Sequence, residues 1–170
     1  TKGFITEDVE IIVYYTIKDT SVIANYKTET GEELTDSITI NGKVWDSYTT
    51  ENKIFYGYEL IEVPSNANGT MAENIITVDY IYRLKDTSVV ANYKTETGEE
   101  LAESITVEGK VFDEYTTENK TFYGYEIVEV PSNASGEMTE DVIVVDYIYR
   151  LKDTSIVANY KTETGEELAE

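Results

Sequence analysis

The sequence contains no cysteine and no histidine. Without cysteine, no disulfide can brace the fold. Without either residue, zinc loses its usual ligands, and the commonest nucleophile and general base are gone. No apolar run approaches the roughly 20 residues that a membrane-spanning helix needs. Positive charge is scarce. Thirteen Lys and Arg stand against 34 Asp and Glu, for a formal net charge of -21. Such a chain is repelled by nucleic-acid phosphates and by anionic lipid surfaces, so neither a nucleic-acid partner nor membrane insertion is expected. Carboxylates spread along the whole length read first as solubilising and self-repelling.

What the sequence has instead is repetition. TSVIANYKTETGEEL at residues 20–34 returns as TSVVANYKTETGEEL at 87–101 and as TSIVANYKTETGEEL at 154–168, a period of 67 residues without slippage. A tandem array is read one unit at a time. Residues 20–86 and 87–153 are two complete units. Residues 1–19 read as the tail of a preceding unit and 154–170 as the head of a following one, as in a piece of a longer array. A unit this short lies near the lower limit for independent folding and can bury one small core.

Within the second unit, residues 88–94 alternate. Val89, Ala91 and Tyr93 face one way and Val90, Asn92 and Lys94 the other, the period of a strand with one buried face. Thr95-Glu96-Thr97-Gly98 reads as a turn with Gly98 at positive φ. Residues 101–107 resume the extended pattern and complete a hairpin. Glu108-Gly109, which is Asn41-Gly42 in the first unit, reads as the next turn, since Asn-Gly is a strong turn signal. Residues 113–120 are polar, with room for one short helical turn. Residues 122–130 are dense in aromatic and β-branched side chains and predict a third strand. Residues 131–136 read as a loop, and 142–150 as the last strand, with Ile143, Val145, Tyr147 and Tyr149 inward.

Identity between tandem copies reports duplication, so the differences carry more information. Ile23/Val90, Ile40/Val107, Trp45/Phe112, Leu60/Ile127, Ile61/Val128 and Ile75/Val142 exchange apolar for apolar and read as buried or half-buried. Asn41/Glu108, Ser47/Glu114 and Thr70/Glu137 gain charge and read as solvated. The junction Arg83-Leu84-Lys85-Asp86-Thr87-Ser88 holds neither glycine nor proline. An extended backbone is expected there, with Ile17, Leu84 and Leu151 packing between repeats to give a semi-rigid, monomeric rod.

These residues resemble the MucBP (mucin-binding protein) repeat of Gram-positive surface adhesins. The landmarks are Val89-Val90-Ala91-Asn92-Tyr93, Gly98-Glu99-Glu100-Leu101, Gly109-Lys110-Val111 with Tyr115-Thr116, Gly124-Tyr125, Asn133-Ala134-Ser135-Gly136 and Val145-Asp146-Tyr147-Ile148-Tyr149. Both complete units carry all of them. The resemblance implies mostly β structure: tandem β-grasp (ubiquitin-like) modules, here with little helix, since residues 113–121 leave room for only a rudimentary one. It also implies repeats displayed outside a bacterial cell and anchored to the wall through another part of the protein.

Candidate chemistry is sparse. Glu99 and Glu100 adjoin a hairpin turn, where their side chains diverge, and no catalytic residue is assigned. No cofactor is expected. Calcium is the one ion that the acidic stretches 96–103 and 137–141 keep open, although neither has an EF-hand pattern. An isopeptide crosslink from Lys94 to an asparagine is disfavoured, because its outward parity does not suit a buried bond. Tyr56 and Tyr123 precede a glycine, on the parity opposite to Tyr58 and Tyr125. If exposed, they are placed to stack on sugar rings. The reading that follows is a non-enzymatic surface adhesin repeat contacting mucin-type glycoproteins or other host surfaces by weak multivalent binding. The alternative is a stalk that projects a distal domain.

Overall fold

In the first unit the alternating segment forms β1 (Asp19–Thr28), with Val22, Ala24 and Tyr26 buried. Its hairpin partner is β2 (Glu33–Lys43). The connecting turn closes as expected: Gly31 takes φ +88°, and the Thr28 hydroxyl accepts from the Glu32 N–H at 3.1 Å. There follow β3 (Ser47–Thr49), β4 (Tyr58–Glu62), β5 (Asn68–Thr70) and β6 (Ile76–Leu84). The sheet order is β2-β1-β6-β4. β1 and β6 run parallel at its centre, and β2 and β4 pair antiparallel at its edges. First and last strands side by side and parallel is the β-grasp arrangement. The computed structural model describes residue 8 and residues 10–168, and it divides into Thr1–Lys85 and Asp86–Glu170.

The second unit repeats the first. It comprises β7 (Asp86–Thr95), β8 (Glu100–Lys110), β9 (Glu114–Thr116), β10 (Tyr125–Glu129), β11 (Ser135–Glu137) and β12 (Ile143–Leu151), in sheet order β10-β12-β7-β8. Only Lys85 separates β6 from β7.

Residues 113–120, which have room for one short helical turn, form none, and no helix occurs among the described residues. That segment instead supplies β9, which pairs with β11 at the end of the expected 131–136 loop; β3 and β5 do the same in the first unit. The reason lies in the tyrosines beneath. In the first unit the Tyr26 hydroxyl donates to the Glu51 carbonyl at 3.0 Å, and the Tyr82 hydroxyl donates to the Lys53 carbonyl at 2.8 Å while accepting from the Lys53 N–H at 3.0 Å. The Thr50 and Tyr80 hydroxyls lie 2.9 Å apart. Backbone groups that a helix would use internally are thus satisfied by phenols from the sheet, which hold the crossover extended across the core.

Asn41-Gly42 and Glu108-Gly109 are not turns. They lie inside β2 and β8 and pair with Thr20-Ser21 and Thr87-Ser88. The glycine serves a close approach: a Cβ on Gly42 would lie 2.7 Å from the Met71 sulfur, and one on Gly109 2.6 Å from that of Met138. The chain turns a few residues later, at Trp45 and Phe112, both with φ +75°.

The apolar exchanges do not mark the core. None of the six pairs is fully buried: Ile23/Val90, Ile40/Val107 and Leu60/Ile127 are half-buried, as read from the sequence, whereas Trp45/Phe112, Ile61/Val128 and Ile75/Val142 are exposed. The core is built from residues identical in the two copies. It holds Val22, Ala24, Tyr26, Val78, Tyr80 and Tyr82, and their equivalents Val89, Ala91, Tyr93, Val145, Tyr147 and Tyr149. Each Tyr26-type ring stacks on its ladder partner, 5.4 Å from Tyr80 and, for Tyr93, 5.5 Å from Tyr147. Phe55 and Phe122 meet this pair and the adjacent Tyr82 or Tyr149 edge-on.

Candidate functional site

The crossover covers one face of each sheet and leaves the other open. On the open face lie the outward residues of the central strands. Asp79 accepts from the Asn25 amide at 2.7 Å and pairs with Lys27 at 2.9 Å, and the Ser37 hydroxyl donates to the Asn25 carbonyl oxygen at 2.6 Å. Asp146, Asn92, Lys94 and Ser104 repeat the network at 2.6 to 2.8 Å. Hydrogen bonding from the lysine ammonium, then from the asparagine amide, holds both carboxyls below the usual carboxylate range. Lys94 is therefore engaged with Asp146 on the solvent side, as its parity indicated.

Exposed aromatic rings are the second element. Tyr56 is more than half exposed and Tyr123 fully so. Each precedes a glycine at positive φ, Gly57 at +82° and Gly124 at +80°. The glycine carries the reversal into β4 or β10, and the tyrosine is left on the outside of it. Trp45 is a ring that sequence reasoning placed inside. It is 74% exposed, and its φ of +75° is rare for a bulky residue and costs backbone energy. The surrounding bonds enforce it: the Trp45 N–H donates to the Met71 carbonyl at 2.9 Å, the Met71 N–H donates to the Asp46 carbonyl at 2.8 Å, and the Val44 N–H donates to the Lys18 carbonyl at 3.0 Å. A shallow cavity of about 290 Å³ beside it is lined by Tyr15, Lys18, Trp45 and Glu73, among others. The only sequence signal for Trp45 was its exchange with Phe112, and conservation of apolar character was misleading there.

The sequence-designated residues are not gathered into one site. Tyr56 and Tyr123 belong to different units, and so do Leu84, which ends β6 opposite Tyr58, and Leu151, which ends β12 opposite Tyr125. Ile17 and Leu151 are exposed and Leu84 half-buried. Glu99 and Glu100 are exposed beside their turn. Among the described residues, no three acidic side chains converge as a metal site would require.

The MucBP domain model matches residues 21–83 and again 88–150. The chain belongs to the MucBP family. Among its relatives, Internalin J of Listeria monocytogenes serotype 4b (strain F2365) is 36% identical over 155 residues, covering 88% of this chain and 17% of that protein. Muramidase-released protein of Streptococcus suis is 33% identical over 139 residues, 71% of this chain and 10% of that protein. The MucBP chain thus spans less than a fifth of the length of these curated relatives. Among solved structures, the type 2 repeat of the mucus binding protein MUB from Lactobacillus reuteri aligns over 78% of this chain and 100% of its own, at 16% identity and TM-score 0.30. Mub-RV aligns over 78% and 99%, at 11% identity and TM-score 0.34.

Proposed function

We propose that these MucBP units are non-enzymatic adhesin modules, displayed extracellularly on a Gram-positive cell and contacting mucin-type glycoproteins or other host surfaces. The observation that carries the reading is the exposed tyrosine held on a glycine turn, Tyr56 in one unit and Tyr123 in the next. An aromatic face presented to water is suited to stacking on a sugar ring and recurs with every repeat. Mucin-type glycans are commonly anionic and this chain carries -21, so no long-range attraction assists the encounter. Contact must be short-ranged and weak per unit, and its strength must come from number.

The second reading, a stalk without ligand contact, is favoured by the open sheet face, whose polar groups satisfy one another. Retention of mucin by surfaces bearing the two-unit chain, and by a four-unit array, separates the two. The adhesin reading expects retention to rise steeply with unit number and to fall several-fold for the Tyr56→Ala, Tyr123→Ala double variant. Absence of retention by either array would leave the stalk.

A further inference from the structure

The first and last strands of each unit lie side by side and run parallel. β1 meets β6 in consecutive partners from Val22↔Ile76 to Thr28↔Tyr82, and β7 meets β12 from Val89↔Ile143 to Thr95↔Tyr149. Because the strands point the same way, the chain enters a unit at one end of this ladder and leaves it at the other. Tension along the chain therefore pulls the two strands in opposite directions along their own axes. Every bond of the ladder is loaded together, in shear, whereas a hairpin pulled at its open end gives way one bond at a time.

Both faces of the same interface carry side-chain staples. On the open face Asp79 ties β6 to Asn25 and Lys27 of β1, at 2.7 and 2.9 Å. On the core face Tyr26 stacks on Tyr80 with ring planes 7° apart. Asn25↔Asp79 and Tyr26↔Tyr80 are successive partners in the ladder itself. One further bond, from the Glu29 N–H to the Tyr82 carbonyl at 3.1 Å, continues the pairing into the turn. The second unit repeats each element, with Asp146 on Asn92 and Lys94, Tyr93 on Tyr147, and Glu96 on Tyr149. Val22, Ala24, Val78 and Tyr80 are at most 1% exposed, so water cannot enter from the core side to replace strained bonds. The ion pair of Arg83 with Glu59 joins β4 to β6 and lies off this path.

We propose that each unit is a tension-bearing module whose central parallel ladder is a shear clamp, stapled by the Asn25–Asp79–Lys27 group on one face and by the Tyr26–Tyr80 stack on the other. This function stands whether or not the repeats bind a ligand. It assigns a role to the open-face network, which no site chemistry uses.

The test is single-molecule force spectroscopy on the whole chain. Held by its two termini, it should show two unfolding events, each releasing roughly 200 Å of chain as expected for one unit. The same chain held through cysteines introduced by Asp19→Cys and Lys43→Cys is pulled at the open end of the β1–β2 hairpin, which unzips; the absence of native cysteine makes the attachment unambiguous. At equal loading rate the terminal pull should need at least about twofold more force, a difference in unfolding barrier and not in equilibrium stability. The Asp79→Ala, Asp146→Ala variant should move the terminal-pull force toward the hairpin value. The Glu59→Ala, Glu126→Ala variant, which breaks an ion pair off the path, should leave it in place. Equal forces in the two directions would overturn the proposal, as would equal weakening by the two variants. Should the Asp variant fail to fold, the directional comparison on the native side chains decides alone.

Discussion

Asp86–Thr95 and residues 153–162 differ in sequence only by Val89 against Ile156, yet they end in different states. The first is β7, with Val89 at 0% exposure between two neighbouring strands. The second forms no strand, and Ile156 is 99% exposed. The turn that follows is nevertheless the same in both. Gly98 and Gly165 share φ +87°, and the flanking threonine hydroxyls, Thr95 with Thr97 and Thr162 with Thr164, lie 2.8 Å apart. Residues 153–168 keep a single bridge, Lys161↔Glu167, near that turn. The turn is therefore a local property of Thr-Glu-Thr-Gly. The strand is not: in the complete unit its parallel partner comes some fifty residues later, and residues 153–162 pair with no such strand among the described residues. A hairpin with no third strand or helix to cover it is marginal in water.

The most drastic way to break the contrast is to supply the missing partner. A copy of residues 104–153 appended after Glu170 completes a third unit. Calorimetry should then show an added unfolding enthalpy on the order of 45 kcal/mol, from roughly 0.7 kcal/mol per residue. The converse is Tyr147→Ala, which removes the stack on Tyr93 and the hydroxyl contact with Thr117. A buried aromatic truncated to alanine costs about 3–5 kcal/mol, comparable with the whole stability of so small a unit. Circular dichroism should show one of the two units already unfolded at ambient temperature, with β7 reduced to the state of residues 153–162. A finer test is Gly98→Ala. Nothing crowds the position, and the cost is the left-handed backbone alone, about 1–2 kcal/mol. Thermal melts should show a drop for the unit bearing it, while Gly165→Ala leaves both melting transitions unmoved because the second hairpin supports no sheet.

Acid gives the smallest effect. The Asp79 and Asp146 carboxyls are held below their ordinary range by Lys27 and Lys94 first, then by the asparagines. A depressed carboxyl stabilises the folded state at pH values above its unfolded pKa, about 3.9, and that contribution disappears as pH falls through the lower folded value. The groups are partly exposed, so each contributes a few tenths of a kcal/mol. Melting temperature measured from pH 5 down to pH 2 should fall slightly less in the Asp79→Asn, Asp146→Asn variant than in the parent chain.

Much of the fold was legible from period and turn chemistry. The parity of Val89, Ala91 and Tyr93 and of Val145, Tyr147 and Tyr149 placed both central strands correctly face by face, and Thr95–Gly98 placed the hairpin. What was not legible depended on contacts distant in sequence. Gly42 reads as a turn only until the Met71 sulfur is set against it. The crossover looked able to start a helix only until the Tyr26 and Tyr82 hydroxyls claimed its backbone. Trp45 looked buried because its exchange for Phe112 preserved apolar character. Exchanges between recent copies survive where packing tolerates them, so they collected at the rim, and the unchanged residues formed the core. Of the candidate site, parity set Tyr56 and Tyr123 apart from Tyr58 and Tyr125 but did not decide their exposure, which the positive-φ turns at Gly57 and Gly124 produce. The Asn25–Asp79–Lys27 group did not, because it joins residues 54 positions apart.

The parallel first–last ladder is what makes the unit. Native-state hydrogen exchange on the whole chain tests it most directly. The amides of residues 89–94 and 144–150 should exchange together as one slow class, while those of 155–161 exchange at the rate of an unfolded chain. Slow exchange at 155–161, or β12 opening well before β7, would contradict it.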